Sequence, residues 1–169
     1  MINKPQANEY PDYAANYVGK VDTINVLELL ASLQESTWKL FSAMSEERAS
    51  LPYAPGKWTL KETLGNIIDT ERVFAYRALV FSRNNVPQPG FDQDVYINNT
   101  DFNSRTIADL ANEYKAVRES TLYLFRSFSE EQLLRQGSAS GYAVSVRAIV
   151  YMTAGHELHH LAILKNYGF

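Results

Sequence analysis

His156, His159 and His160 are the only histidines of the 169-residue chain, and all fall within Gly155-His156-Glu157-Leu158-His159-His160-Leu161. Positions four apart share one face of an α-helix, so His156 and His160 point the same way, with imidazoles close enough to share one cation. His159 lies about 100 degrees round the axis from His160 and is not expected to join the pair. The alternative is a structural pair, both rings satisfied by hydrogen bonds to neighbouring side chains such as Asn66 or Thr70, or to a buried water.

Other chemistries lack their residues. There is no cysteine, which removes disulfides, thiolate ligands and a cysteine nucleophile and fits a reducing compartment. There is no Gly-rich phosphate loop and no Ser/His/Asp order, and His156-Glu157-Leu158-His159 is one residue short of the zincin spacing. Asp92 and Asp94, beside Gly90, read as turn-stabilising carboxylates rather than an acid and base pair. Trp38 and Trp58 read as packing residues. With 16 basic and 19 acidic residues and no basic stripe, nucleic acid is not an expected partner. The amino terminus lacks the apolar core of a secretory signal and no apolar run approaches a membrane span, so the expected location is the cytoplasm.

The elements that must position the pair follow from period and punctuation. Length and a 46% hydrophobic content predict a single domain over 1–169, with a proline- and tyrosine-bearing arm over 1–22 carrying Tyr10, Tyr13 and Tyr17. A first amphipathic helix runs from about Thr23, capped by Asp22 or Thr23, to near Met44, with Ile24, Leu27, Leu30 and Leu33 inward. Ser45-Glu46-Glu47 starts a short extra turn. Thr59 with Glu62 forms a capping box for a second helix reaching about Ser82. The polar stretch 83–105 is too long for a simple loop in a compact domain and reads as a functional loop or a crossover. A third helix spans 106–128, and Ser129 opens another boxed turn. A Gly/Ser-rich link through Gly137, Ser140 and Gly141 leads to a fourth helix from Ser145 to Tyr167, with Gly168 as carboxyl cap. Four helices and no convincing strand predict an all-α four-helix bundle.

The chain also repeats. Glu35-Ser-Thr-Trp-Lys-Leu-Phe-Ser-Ala-Met-Ser-Glu-Glu47 aligns with Glu119-Ser-Thr-Leu-Tyr-Leu-Phe-Arg-Ser-Phe-Ser-Glu-Glu131 with eight of thirteen positions identical. Chance likeness between amphipathic helices is the competing explanation. A true repeat makes two α-hairpins related by a pseudo-twofold axis, in the order up, down, down, up, with 83–105 crossing the bundle so that helices two and three run parallel. Helices two and four then run antiparallel, and flush ends set Asn66 level with the histidine pair, with Asp69 and Thr70 a turn away. Glu71 and Glu157 fall on equivalent repeat positions, and Glu157 reads as a charge facing solvent or another subunit.

Lys57-Trp58-Thr59-Leu60-Lys61-Glu62-Thr63-Leu64-Gly65-Asn66-Ile67-Ile68-Asp69-Thr70-Glu71-Arg72, Pro89-Gly90-Phe91-Asp92-Gln93-Asp94 and Gly155-His156-Glu157-Leu158-His159-His160 together resemble the DinB/YfiT-like superfamily of four-helix-bundle proteins over nearly the whole chain. The resemblance implies a divalent metal, zinc or nickel, on three histidines, one on the second helix and an H-x-x-x-H pair on the last. His156 and His160 match that pair. Asn66 stands where the third histidine belongs, and an amide oxygen is a much poorer donor than imidazole. Two readings remain open. In one, His156, His160, water and Asn66 or Asp69 hold the ion, and the resemblance implies a metal-dependent hydrolase or thiol-dependent transferase acting on a small molecule. In the other, the metal is lost and the chain is a non-catalytic, small-ligand-binding or stress-associated dimeric module. Exposed apolar helix faces suggest a homodimer.

Overall fold

The computed structural model describes residues 1–166 and 168, and among them eight α-helices and one two-stranded sheet. In chain order these are α1 (Ala15–Gly19), α2 (Val26–Ser42), α3 (Glu46–Ala49), α4 (Leu60–Arg83), α5 (Gln93–Asn98), α6 (Ile107–Arg126), α7 (Glu130–Leu134), β1 (Gln136–Ala139), β2 (Tyr142–Ser145) and α8 (Val146–Asn166). The four long helices, α2, α4, α6 and α8, form the bundle. Among the described residues no helix is long and apolar enough to cross a membrane.

Cross-helix bonds fix the directions. Trp38, Gln34 and Leu30 meet Asn112, Lys115 and Arg118 in turn, so α2 and α6 run oppositely. Glu62 meets Asn103, four residues ahead of α6, and Glu71 meets Arg118 well within it, so α4 and α6 run the same way. Trp58 reaches His160 and Phe74 reaches His156, so α4 and α8 are antiparallel. Because α4 and α6 are parallel, the chain must return along all 24 residues of α4, about 36 Å at 1.5 Å per residue. Residues 84–106 make that return, and α5 and a 3-10 turn at Phe102–Ser104 form within them.

Thr59 caps α4, its hydroxyl accepting from the Glu62 N–H while the Glu62 carboxylate accepts from the Thr59 N–H, and Ser129 with Gln132 repeats the device at α7. Ser45 caps α3. At α2 the cap is Asn25, without a side-chain bond, and neither Asp22 nor Thr23 fills the role; the Thr23 hydroxyl instead accepts from the Asn25 N–H. Ile24, expected inward, therefore precedes the helix and is exposed. Gly168 adopts a positive φ of 81° and donates to the Lys165 carbonyl, the bond of a helix end, while Tyr167 lies outside the described residues.

The expectation of no strand is corrected by β1 and β2, paired antiparallel from Gln136 with Ser145 to Ala139 with Tyr142. Ser140 and Gly141 both take positive φ, 56° and 82°, as a two-residue primed turn requires, so the Gly/Ser-rich link is a hairpin rather than an irregular tether. Gln88 of the crossover donates to the Ser138 carbonyl and accepts from the Ser140 N–H, tying the long return to the hairpin. The first half carries a smaller version of this link, an isolated Pro52–Thr59 bridge. Each half closes with the same bond, Leu60 N–H to the Leu51 carbonyl and Val146 N–H to that of Arg135.

The amino-terminal arm is built into the body. Ile2, Ala14, Val18 and Val21 are buried, and the Tyr151 hydroxyl lies 2.8 Å from the Ile2 carbonyl and 3.1 Å from that of Thr23. Glu9 accepts from Ser145 at 2.7 Å and from two guanidinium nitrogens of Arg147. Burial would raise the Glu9 pKa, but Arg147, the Gln6 N–H and Ser145 outweigh it and hold the carboxyl at about 2 against an ordinary 4.5. α1 lies across α8 at Gly155, where an added Cβ would stand 2.0 Å from the Tyr17 carbonyl oxygen.

Two outcomes follow for the arm. Gly155→Ala gains up to about 1 kcal/mol of helix propensity, yet the overlap with Tyr17 costs about 1–3 kcal/mol, so thermal denaturation should show net destabilisation and limited proteolysis a more readily cleaved arm. Gly19→Ala, with open space at its Cβ, is the control. Because the folded-state pKa of Glu9 is depressed, its contribution is complete above pH 4.5 and is lost as pH falls towards about 2. Arm cleavage by an acid-active protease should rise across that window in the native chain, and Glu9→Gln should flatten the dependence.

Candidate metal centre

His156 and His160 occupy one face of α8 with their Nε2 atoms 3.1 Å apart, and both are buried. Burial drives the His156 pKa well below its ordinary value, with the neighbouring His160 and His159 adding to the shift. Burial followed by the His159 charge lowers His160 to about 4. Both rings are therefore neutral at physiological pH, the form that ligates a metal. At bond lengths of about 2.0–2.1 Å, two tetrahedral nitrogen ligands stand roughly 3.3 Å apart, close to the separation here. The same separation also suits an N–H···N bond from one neutral imidazole to the other.

Facing them, α4 presents Asn66 and Thr70, four residues apart and both buried. Thr70 shares a cavity of about 440 Å³ with His156. In the antiparallel register, Asn66 is then one turn along α4 and level with His160. Both polar atoms of the Asn66 amide and the Thr70 hydroxyl are buried without a hydrogen-bond partner among the described residues. An unsatisfied buried polar group costs about 1–3 kcal/mol, and three such atoms beside two neutral imidazoles make a donor set suited to an ion, a water or a polar ligand.

Asp69 does not join them. Its Oδ1 lies 3.6 Å from Arg72, which in turn pairs with Glu113 on the α6 side. Among the described residues no group of three or more His, Cys, Asp or Glu side chains converges as a metal cluster; the unpartnered polar atoms facing the pair are those of Asn66 and Thr70.

Aromatic rings wall the pair. Tyr17 from the arm meets His156 and His159 edge-on, each with centroids 5.5 Å apart, and Trp58 stacks on His160 at 6.3 Å. Trp58 is thus packed on the site itself, by its place just ahead of α4. His159 is only partly buried and lines a second cavity of about 280 Å³ that also reaches His160. Gln93 and Asp94 of α5 line both cavities, so the crossover roofs the site. Asp92 caps α5, accepting from the Asp94 and Val95 N–H groups, the turn role expected of it.

Beneath the pair lies a charge network that the sequence pattern did not reveal. Arg118, wholly buried, donates to both oxygens of Glu71 at 2.9 and 2.7 Å, to Glu157 at 2.6 Å and to the Leu30 carbonyl at 3.0 Å. The other Glu157 oxygen accepts from the Thr37 and Tyr114 hydroxyls, each at 2.6 Å. Burial alone would lower the Arg118 pKa, but the charges of Glu157 and Glu71 reverse that and hold the guanidinium protonated. Glu157 is therefore not a solvent-facing or subunit-facing charge. A residue about 100 degrees from His156 faces α2 and α6, and those helices supply its partners. The signal available was the recurrence of glutamate at 71 and 157 in the repeat, which anticipates a common partner without naming Arg118.

The family model of the DinB superfamily matches residues 29–164. A solved structure of YfiT from Bacillus subtilis, described as a probable metal-dependent hydrolase with an unusual four-helix bundle topology, is similar over 98% of this chain and 91% of that one, with a TM-score of 0.76 and 13% identity. That identity carries the fold alone. No curated protein matches the chain by sequence.

Arg118→Met strands two carboxylates in the interior, and breaking a buried pair in this way costs about 3–5 kcal/mol. Denaturant titration should show that loss. The same titration of Thr37→Val, which removes one of three donors to Glu157, should lose about 1–2 kcal/mol.

Proposed function

The chain is a member of the DinB superfamily, and on that footing we propose that it is a divalent-metal-dependent enzyme, a hydrolase or a thiol-dependent transferase, acting on a small molecule. His156 and His160 would be its imidazole ligands and the Asn66 amide oxygen a weaker third. The observation that carries the reading is the pair of buried, neutral imidazoles 3.1 Å apart with an unpartnered amide on the facing helix. The description of YfiT as a probable metal-dependent hydrolase agrees with it. A divalent ion held there supplies Lewis-acid activation of a water or a thiol.

The chain's own residues would do the rest. The Tyr17 and Trp58 rings cover the imidazoles and restrict water, which strengthens electrostatic interactions at the site. The Thr70 hydroxyl, without a partner among the described residues, would donate to or accept from a substrate atom beside His156. The cavity of about 440 Å³ lies in the range that small-molecule sites occupy.

A second reading has its own support. The imidazoles can satisfy each other through the 3.1 Å contact, and the second-helix position carries an amide instead of a third histidine, which suits a metal-free, ligand-binding module.

Elemental analysis after loading with zinc or nickel and desalting separates the two. The enzyme reading expects about one equivalent retained, its loss in His156→Ala, and metal bound tighter by about tenfold or more in Asn66→His. A native protein that retains none, with stoichiometric metal restored by Asn66→His, overturns it in favour of the metal-free module.

A further inference from the structure

We propose that Arg77 is a substrate-binding residue, and that the cavity beside His156 takes a small organic monoanion, a carboxylate, with its charged group on the Arg77 guanidinium. This names a substrate class and rests on reading the site as a small-molecule centre.

The argument begins with buried cations. Three lie in the interior among the described residues: Arg118, Lys61 and Arg77. Arg118 has Glu71 and Glu157, and Lys61 has Glu46 at 2.8 Å. Arg77, only 6% exposed, has no carboxylate within 4 Å among the described residues, and its one hydrogen bond to them runs from Nη2 to the Pro89 carbonyl at 2.8 Å. A guanidinium carries five N–H donors in a planar fork, so four remain for something that is not protein. Taking such a charge from water is costly unless it is paired, and one neutral carbonyl does not offset that. Burial accordingly lowers the Arg77 pKa, although arginine remains a cation at physiological pH.

Position supplies the second step. Arg77 lines the same cavity as His156 and Thr70, beside the rings of Tyr13, Phe74 and Phe91. The Tyr13 phenol, on the rim of the same cavity, makes no hydrogen bond among the described residues and offers a second donor. Asp92 and Asp94 line the same cavity, and neither pairs with Arg77 within 4 Å. Their charge disfavours a dianion, so a carboxylate is preferred to a phosphate monoester. The rings favour an apolar or aromatic body, leaving the reacting bond towards His156.

Calorimetric titration of the chelator-treated protein with benzoate, benzamide and phenyl phosphate tests this without any metal. Benzoate should bind at least about tenfold more tightly than benzamide, and phenyl phosphate no more tightly than benzoate. Arg77→Gln should weaken benzoate at least about tenfold and leave benzamide unchanged, and His156→Ala should still bind benzoate. Should Arg77→Gln fail to fold, the Arg77 Nε–H resonance of the native protein takes its place: it should shift on adding benzoate. Equal binding of benzoate and benzamide, tighter phenyl phosphate, unchanged benzoate affinity in Arg77→Gln, or an unmoved resonance overturns the proposal. Loss of benzoate in His156→Ala alone would place the anion at the histidines and also overturn it. Failure of metal retention leaves these results untouched, so the two readings fall separately.

Discussion

One guanidinium holds the bundle together. Arg118 on α6 binds Glu71 on α4, Glu157 on α8 and a carbonyl on α2, while Thr37 of α2 and Tyr114 of α6 complete Glu157. Each long helix contributes to a single buried cluster, and every oxygen of both carboxylates has a donor. A buried ion pair gains little over an apolar replacement of the same volume, and its clearest benefit is the selection of one arrangement. Sliding α8 against α4 by a turn would strand Glu157 or Glu71 without a partner, so the network fixes their register. Thr70 and His156 immediately precede those two glutamates, and the network therefore also fixes the height at which the candidate ligands meet.

The bundle was legible because its signals are local. Thr59 with Glu62, Ser129 with Gln132, and the three-to-four spacing of Leu30, Leu33 and Phe41 act within one or two turns. The hairpin was not, because Gln136–Ala139 and Tyr142–Ser145 are four residues each and carry glycine, serine and alanine in place of a β-branched alternation. What makes them strands is a primed turn at Ser140-Gly141 and support from Gln88, far earlier in the chain. The cap of α2 failed for a related reason. Thr23 looked suitable in type, but the Tyr151 hydroxyl, 3.1 Å from its carbonyl, fixes the chain there, and the helix begins later.

At the site, residue types were readable and partnerships were not. The i, i+4 spacing put His156 and His160 on one face, and the antiparallel count put Asn66 near their level. Nothing in the spacing distinguishes Asp69, which pairs with Arg72, from Thr70, which lines the cavity, although they are adjacent. Nor does periodicity show whether a charge on a helix flank faces water or a partner. Glu157 and Arg77 were both misjudged or passed over on that account, since polar residues on amphipathic helices are exposed by default.

Asn66 is best understood against this fixed register. The cluster around Arg118 and the packing of Trp58 and Tyr17 hold α4 and α8 in place whether or not anything binds between them, so the geometry of the site does not depend on an ion to form it. A site that is preorganised by unrelated contacts tolerates a weaker ligand, because binding need not supply the ordering free energy as well. The amide at this position leaves a donor and an acceptor unpartnered among the described residues of the interior. Hydrogen bonds to the two rings would remove that penalty, but the amide makes none, and the two Nε2 atoms meet each other at 3.1 Å. The position is thus kept polar at a cost to folding that the fold itself does not recover, which is the condition expected where a third species completes the bonding.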